Sequence, residues 1–482
     1  MVERQEFFPP QSQEIDKPRH GCGVVGIYHP FEEVARPAFF ALYALQHRGQ
    51  ESAGMASCLD GKIEIHKDLG WVAHVFQEEN IQRLKGNLVI GHTRYSNTGS
   101  NILENSQPLG DRCDLGEVAL SYNGNLVNSD YLKKELETEG EGFVTSTDSE
   151  VLLRSIARTS GSSWEEKIKN VAPKLIGAYS LVLLTQDRHL IGVRDPFGIR
   201  PLCLGRYNQD GFVLASESCA LDTIGAGFLR ELEPGEILSI DSQGRIQTDF
   251  IEQGKSALCI FEFIYYARGG SRLKERFVAV VRHEMGKRLA WEHPVEADFV
   301  LAIPDTAIPA AFGFSEASGI PLVPGIEKNR YIGRTFIQPD QRLRDQEVIL
   351  KLLPILTWIE GKRVVVVDDS IVRGTTTPKV VEMLRRAGAK EVHMRITSPP
   401  IKYPCFFGID TASGRELIAA IKDGDVEEIR KHIGADSLGY LSLKGVVEAT
   451  RWPLNVFCVG CFTGNYPFPV PQERDKFALK KV

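Results

Sequence analysis

Val364-Val365-Val366-Val367-Asp368-Asp369-Ser370-Ile371-Val372-Arg373-Gly374-Thr375-Thr376 is the stretch that decides the fold of the carboxyl-terminal half. Residues 363–367 are a short run rich in β-branched side chains and read as a buried strand. Two carboxylates follow at its carboxyl end, where open α/β sheets bind their ligands. Next comes a loop with Gly374 and several hydroxyls. Thr377-Pro378 then reads as an N-cap followed by proline in the first helical position. Backbone N–H groups exposed at a helix start, together with the helix dipole, favour a phosphate. Adjacent carboxylates accept hydrogen bonds from vicinal hydroxyls and help to hold Mg2+. A phosphate cradle beside a diol clamp describes a site for a sugar phosphate. A solvated acidic turn or an ordinary helix cap explains either half alone, but not both in this order. The Gly-Lys-Ser/Thr of a Walker loop is missing.

The flanking sequence keeps the same rhythm. The helix is expected to end at Ala387 before Gly388, with a strand over 390–396. Upstream, 277–290 reads as a helix, 298–303 as a buried strand, 306–318 as a helix stopped by Gly319, and 320–323 as a short strand. Strand, loop, helix, strand is the βαβ unit of a parallel α/β sheet. The DDSIVRGTT segment resembles the phosphoribosyl diphosphate (PRPP) motif of type I phosphoribosyltransferases. That resemblance implies that Asp368 and Asp369 hold the ribose hydroxyls. It implies that Ser370, Arg373, Gly374, Thr375 and Thr376 line the 5′-phosphate loop.

The amino-terminal half is built differently. Short apolar runs at 87–91, 118–122, 179–184 and 211–215, bounded by Gly, Asn and Asp, predict strands. Residues 35–46, with Pro37 in the first turn, and 148–157 are the main helical candidates. This half reads as sheets covered by some helices, and the rhythm changes between residues 243 and 256. Residues 1–21 are polar, proline-bearing and aperiodic; they read as a disordered leader without the apolar stretch of a secretory signal. At 482 residues, 43% hydrophobic and 25% charged, the chain is globular with more than one domain. Its 57 basic and 63 acidic residues argue against a broad nucleic-acid-binding face. No apolar run approaches a membrane span. Nine cysteines, an odd number, are too few for a disulfide scaffold. Reduced thiols in a cytoplasmic protein fit better.

Cys22 opens a glycine-punctuated segment, Cys22-Gly23-Val24-Val25-Gly26-Ile27, and by position alone is structural. Removal of the leader changes that. An N-terminal cysteine carries its own α-amine, with a free pKa of about 7.7–8.0, as base for the thiol. Four polar clusters follow, at 46–54 (QHRGQESAG), 91–96 (GHTRYS), 123–126 (NGNL) and 146–150 (STDSE). An asparagine amide and a glycine N–H suit an oxyanion. An arginine and an aspartate suit the carboxylate and ammonium of an amino acid. The clusters in this order closely resemble the class II glutamine amidotransferase domain, over roughly residues 22–242. The resemblance implies an α+β N-terminal-nucleophile fold, with Cys22 as nucleophile and Asn123 and Gly124 as oxyanion hole. It assigns Arg94 and Asp148 to glutamine, and Arg48 to the same site beside the nucleophile. Tyr122 departs from the family's usual His before Asn-Gly-Asn, and Asn97 stands where Thr is common.

A glutaminase half joined to a PRPP half is similar to one family, the amidophosphoribosyltransferases. The expected organisation is a leader at 1–21, a glutamine amidotransferase domain at 22–242, a phosphoribosyltransferase domain at 256–470 and a tail at 471–482. By resemblance, Asp305 and Thr306 sit in a pyrophosphate loop. Lys328 and Arg330 belong to a loop, 328–339, that closes over PRPP. Thr306, Asp368 and Asp369 are expected at Mg2+. The implied reaction takes ammonia from glutamine to C1 of PRPP and gives 5-phosphoribosylamine, glutamate and pyrophosphate, at the start of purine synthesis. Purine nucleotides as inhibitors and a homotetramer are implied in the same way. A rival reading is a PRPP- or purine-sensing regulator built on the same fold.

Cys458-Val459-Gly460-Cys461 is open on its own to redox, metal or incidental readings. Some members of the family hold a [4Fe–4S] cluster on four cysteines. The matching positions here, Cys259, Cys405, Cys458 and Cys461, are all cysteine. Four-thiolate zinc is the runner-up. Two further departures are Gly269-Gly270-Ser271, where Pro-Asp-Ser is usual, and Glu327, where an apolar residue is usual.

Overall fold

A computed structural model describes residues 21–96, 98–251, 255–329, 351–409, 414, 416–471 and 479. The expected leader up to residue 20, Asn97, Arg330 with the rest of its loop, and most of the tail lie outside the described residues. The chain divides into two compact units. The first holds described residues 21–278, 404–409, 452–471 and Leu479; the second holds 279–329, 351–403, 414 and 416–451.

The first unit is a sandwich of two sheets. Its strands are β1 (Gly23–Tyr28), β2 (Ser52–Leu59), β3 (Lys62–Leu69), β4 (Leu88–Arg94), β5 (Leu109–Cys113), β6 (Gly116–Leu126) and β7 (Gly177–Thr185). They continue with β8 (Leu190–Arg194), β9 (Cys203–Tyr207), β10 (Gly211–Ala215), β11 (Gly227–Glu231), β12 (Glu236–Ile240) and β13 (Ile246–Phe250). One sheet has the order β11-β9-β10-β1-β4-β2-β3 and the other β13-β12-β8-β7-β6-β5. Their ladders are antiparallel. Val24, Ile90, Ala119 and Val182, drawn from both sheets, form one core. The outer faces are covered too. Helix Ala35–Ala44 shares a core with Val25 and Val89. Helices Asp148–Arg158 and Trp164–Val171 share one with Tyr122 and Leu181. A strand covered on both faces loses its apolar–polar alternation. This is why β7 is buried along its whole length.

The second unit is an α/β layer. Strands Phe299–Ala302, Arg363–Asp368, Glu391–Ile396 and Ser437–Tyr440 lie in that order in one sheet, all parallel. Val364, Val366, Val392 and Met394 pack with Val380 and Leu384 of helix Thr376–Arg386 and Ile429 of helix Val426–Ile433. The expected helix over 306–318 runs as Ile308–Ser318 and ends at Gly319.

Several expectations shift. Residues 320–323 do not form a strand; only Leu322 bridges to Val300, because Pro321 has no N–H for a ladder. The helix after the acidic pair is capped at Thr375, not Thr377, so Pro378 falls in its third position. Gly374, at φ +70, turns the chain early. Helices Ser129–Thr138, Trp164–Val171, Val426–Ile433 and Leu443–Thr450 have no counterpart among the sequence-based candidates. They are short and rely on tertiary packing. The first unit also extends past the expected break at 243–256. Leu258–Cys259 pairs in parallel with Phe457–Cys458, and Arg200 donates to the Phe407 carbonyl at 2.8 and 2.9 Å.

Candidate active sites

In the first unit, β1 and β4 are neighbours, with Gly23 opposite Thr93. That register sets Cys22, just before β1, beside Arg94 and Tyr95 at the end of β4. The Cys22 thiol is buried and donates to the Tyr95 carbonyl at 3.5 Å. Burial pushes it up to about 11, with Arg94 pulling down and Asp148 and Glu51 pushing up. Arg94, Asp148 and Glu51 are thus within electrostatic reach of Cys22. Arg94 donates to the Ser100 and Thr98 carbonyls at 3.3 and 3.1 Å. The Asp148 Oδ2 accepts from Tyr122 Oη at 2.9 Å and from the Leu126 N–H at 3.0 Å. Glu51 accepts from the Ser96 N–H at 2.8 Å and from its hydroxyl.

Asn123 lies on β6 in the facing sheet, fully buried. Both polar atoms of its side chain lack a hydrogen-bond partner among the described residues. A buried amide in this state is costly unless a ligand completes it. A methyl group on Gly21 would stand 2.9 Å from Asn123 Oδ1, so the residue before Cys22 lies against this amide. At Gly124 a methyl group would meet the Ala178 carbonyl oxygen at 2.0 Å, so only glycine allows β6 and β7 to approach there.

Arg48 has its partners outside its own motif. Its guanidinium is buried between two glutamates, bonded to Glu217 through Nε and to Glu262 Oε2 at 2.6 Å. Burial alone would depress it, but Glu217 and Glu262 hold it above its ordinary value. Glu217 also takes His47 at 2.7 Å, the Ser271 hydroxyl at 2.6 Å and the Arg268 N–H at 2.9 Å. Glu262 takes Arg200 at 3.2 Å. Arg48 is therefore the centre of a buried ion-pair network. Motif reading missed these pairings, because the bonded residues are 169 (Arg48–Glu217), 214 (Arg48–Glu262) and 62 (Arg200–Glu262) positions apart.

In the second unit, Asp368 ends its strand and Asp369 follows, both buried. Asp369 accepts from the Thr306 hydroxyl at 2.7 Å and from the Ser370 hydroxyl at 2.7 Å. The first of these bonds ties the Asp305-Thr306 loop to the acidic pair. Lys328 reaches Asp305 at 2.5 Å. Arg373 pairs with Glu416 at 3.2 Å, and the Gly374 carbonyl bonds His432 at 3.1 Å. Gly374, Thr375 and Thr376 lead into the start of the following helix. The sequence-predicted residues thus converge at the carboxyl end of the sheet, apart from Arg330, which is outside the described residues.

Residues 92–223 match the glutamine amidotransferase domain family, and residues 272–397 match the phosphoribosyl transferase domain family. Over 474 residues, 97% of this chain and 96% of the relative, the chain is 48% identical to the amidophosphoribosyltransferase of Synechococcus elongatus. The chain belongs to the amidophosphoribosyltransferase family. It is also 48% identical over 460 residues to the amidophosphoribosyltransferase of Archaeoglobus fulgidus, covering 94% of this chain and 99% of that one. The solved glutamine PRPP amidotransferase of B. subtilis, complexed with ADP and GMP, has a TM-score of 0.88 at 45% identity, over 95% of this chain and 100% of that one.

The four cysteines singled out for the iron–sulfur members of the amidophosphoribosyltransferases all fall in the first unit. Cys259 pairs in register with Cys458, and Cys461 is on helix Gly460–Thr463. Cys405 accepts the Phe407 N–H at 3.4 Å. Burial holds the Cys461 thiol well above its ordinary range, with Cys259, Cys458 and Cys405 adding to the effect. Cys259, Cys458 and Cys405 are thus within electrostatic reach of Cys461. Among the described residues, no three His, Cys, Asp or Glu side chains are gathered tightly enough for a single metal ion. No described helix is long and apolar enough to cross a membrane.

Proposed function

We propose that this chain makes 5-phosphoribosylamine from glutamine and PRPP, with Cys22 and Asn123 at the centre of the glutamine step. The observation that carries this reading is the buried, unpartnered amide of Asn123 beside Cys22. Once the Gly21–Cys22 bond is cut, the new α-amine takes the thiol proton. Cys22 Sγ then attacks the side-chain carbonyl of glutamine, and the oxyanion that forms meets Asn123 Nδ2 and the Gly124 N–H. Ammonia leaves, and water releases glutamate from the thioester. Arg94 pairs with the substrate carboxylate and Asp148 with its ammonium. Arg48 belongs to the same site by its motif and is held in place by Glu217 and Glu262.

In the second unit, Asp368 and Asp369 take the ribose hydroxyls, and Ser370, Arg373, Gly374, Thr375 and Thr376 take the 5′-phosphate. Asp305, Thr306, Lys328 and Arg330 face the pyrophosphate that departs as ammonia attacks C1. Thr306, Asp368 and Asp369 fit Mg2+, whose remaining ligands PRPP oxygens and water would supply. The ion would neutralise charge on the leaving pyrophosphate. Cys259, Cys405, Cys458 and Cys461 would supply the four thiolates of a [4Fe–4S] cluster, with four-thiolate zinc as the runner-up. The cluster would hold three distant stretches of chain together. A cytoplasmic homotetramer inhibited by purine nucleotides completes the proposal. The B. subtilis protein complexed with ADP and GMP supports the nucleotide part.

The deciding experiment follows glutamate and pyrophosphate in one tube, with and without PRPP and Mg2+. Equal amounts of both, dependent on PRPP, are expected. Replacing Cys22 by Ala should abolish glutamine use and leave ammonia-dependent turnover. Loss of both activities in C22A, or full-rate glutamine hydrolysis without PRPP, would overturn the coupled mechanism.

A further inference from the structure

Tyr122 occupies a place in the first unit that the proposed mechanism leaves unused. It is almost fully buried on β6, one residue before Asn123. Side chains two apart on a strand share a face, so Tyr122, Gly124 and Leu126 point the same way. That face meets helix Asp148–Arg158, whose Val151, Leu152 and Ile156 share a core with Tyr122 and Leu126. The Tyr122 hydroxyl reaches Asp148 Oδ2 at 2.9 Å, with the Ala178 carbonyl as a longer second acceptor at 3.3 Å. The Leu126 N–H donates to the same Oδ2 at 3.0 Å.

The backbone of Tyr122 is held on both sides. The Tyr122 N–H donates to Gln107 Oε1 at 2.8 Å. Its carbonyl pairs with His92 Nε2 at 2.9 Å. Burial pushes His92 down to about 3, so the imidazole is neutral, and its Nε2 must carry the proton because a carbonyl can only accept. The ring passes over Gly124. A methyl group there would lie 2.9 Å from Tyr122 Cε2, so the missing side chain at Gly124 gives the ring its path to Asp148. Tyr122 is also within electrostatic reach of Cys22.

We infer that Tyr122 is a positioning residue for glutamine recognition, fixing the Asp148 carboxylate in the orientation that receives the α-ammonium of the substrate. This rests on the reading that Asp148 binds that ammonium. A buried carboxylate with one oxygen anchored by two donors from β6 cannot turn freely about its Cβ–Cγ bond. The anchoring selects donors that carry an α-ammonium over amides that lack one. A histidine at this position would lack the hydroxyl that reaches Asp148.

The test compares glutamine with glutaramate, which is glutamine without its α-amino group, as ammonia donors for PRPP-dependent pyrophosphate release. Each rate is normalised to the same variant's ammonia-dependent turnover. Y122F is expected to lower kcat/KM for glutamine about tenfold or more, mainly through KM, and to leave kcat/KM for glutaramate at the wild-type value. Y122H serves as a second variant with the same expectation. An equal loss on both donors, or no loss on either, overturns the inference, because a merely structural tyrosine does not distinguish them. D148N separates the two layers. If D148N fails to discriminate between the donors, the reading of Asp148 falls and the inference with it. If D148N discriminates and Y122F does not, only the role of Tyr122 falls.

Discussion

Burial pushes the Cys22 thiol up to about 11, so at pH 8 about one part in a thousand is thiolate. The described chain is joined through Gly21, and an amide nitrogen supplies no base. An α-amine at the same nitrogen changes both terms at once. It accepts the proton, and in its protonated form it is a cation next to sulfur. Alkylation of Cys22 by iodoacetamide, followed by peptide mass spectrometry, should therefore be at least about tenfold slower with the Gly21–Cys22 bond intact than with it cut. In the intact chain the rate should climb roughly tenfold per pH unit up to the thiol pKa. Equal rates in the two forms would mean that something other than the α-amine ionises the thiol. Tyr122 belongs to this scale too: the role inferred for it rests on the single contact of its hydroxyl with Asp148.

In the proposed glutamine site, β6 carries Asn123, Gly124 and Tyr122. One face presents Asn123 beside Cys22, and the other takes Tyr122 and Leu126 to Asp148. Both functions require β6 to run close against β7, where Gly124 stands opposite Tyr179. Gly124→Ala would drive a methyl group onto the Ala178 carbonyl oxygen and into the Tyr122 ring. Overpacking of this kind costs about 1–3 kcal/mol. A lowered Tm together with weakened glutamine use is expected, read by thermal melting and by the coupled assay. An unchanged Tm would show that β6 and β7 can separate without penalty. In the other unit the corresponding device is a single bond, Thr306 to Asp369, which ties the loop after one strand to the end of its neighbour.

At the scale of the whole molecule, the buried charges Arg48, Glu217, Glu262 and Arg200 join segments far apart in the chain. Arg200 in turn holds the Phe407 carbonyl, two residues from Cys405. Burial alone would raise the Glu217 carboxyl, but Arg48 and His47 outweigh it and hold it well below its ordinary value of 4.5. An acid depressed in this way contributes stability that is fully present above its unfolded pKa. That stability is lost as pH falls through the lower folded value. Glu217→Gln leaves Arg48 with one partner in the interior, and breaking such a pair costs about 3–5 kcal/mol. Urea unfolding should show that loss at pH 7. The gap between wild type and E217Q should begin to narrow as pH falls below about 4.5 and go on narrowing until Glu217 is protonated in the folded state. A gap that stays constant to the lowest pH tested would show that charge is not what Glu217 contributes.

Local order in the chain determined a good deal by itself. The valine run, the paired acids and the glycine–threonine loop announce a parallel sheet with a phosphate site at its end. The order of the polar clusters after Cys22 announces the glutaminase half. These signals are readable because a strand, a turn and a helix start are each set by a few consecutive residues. Other features were decided only by the tertiary structure. Arg48 stands in a readable motif, yet its partners are Glu217 and Glu262, and nothing in their spacing pairs them. Tyr122 and Asp148 are 26 residues apart and meet only because a helix packs on β6. Cys259, Cys405 and Cys458 are separated by long stretches of chain, and residues 404–409 join the first unit only through contacts such as Arg200 with Phe407. Burial and long-range pairing follow from which faces pack together, and linear spacing carries no record of that.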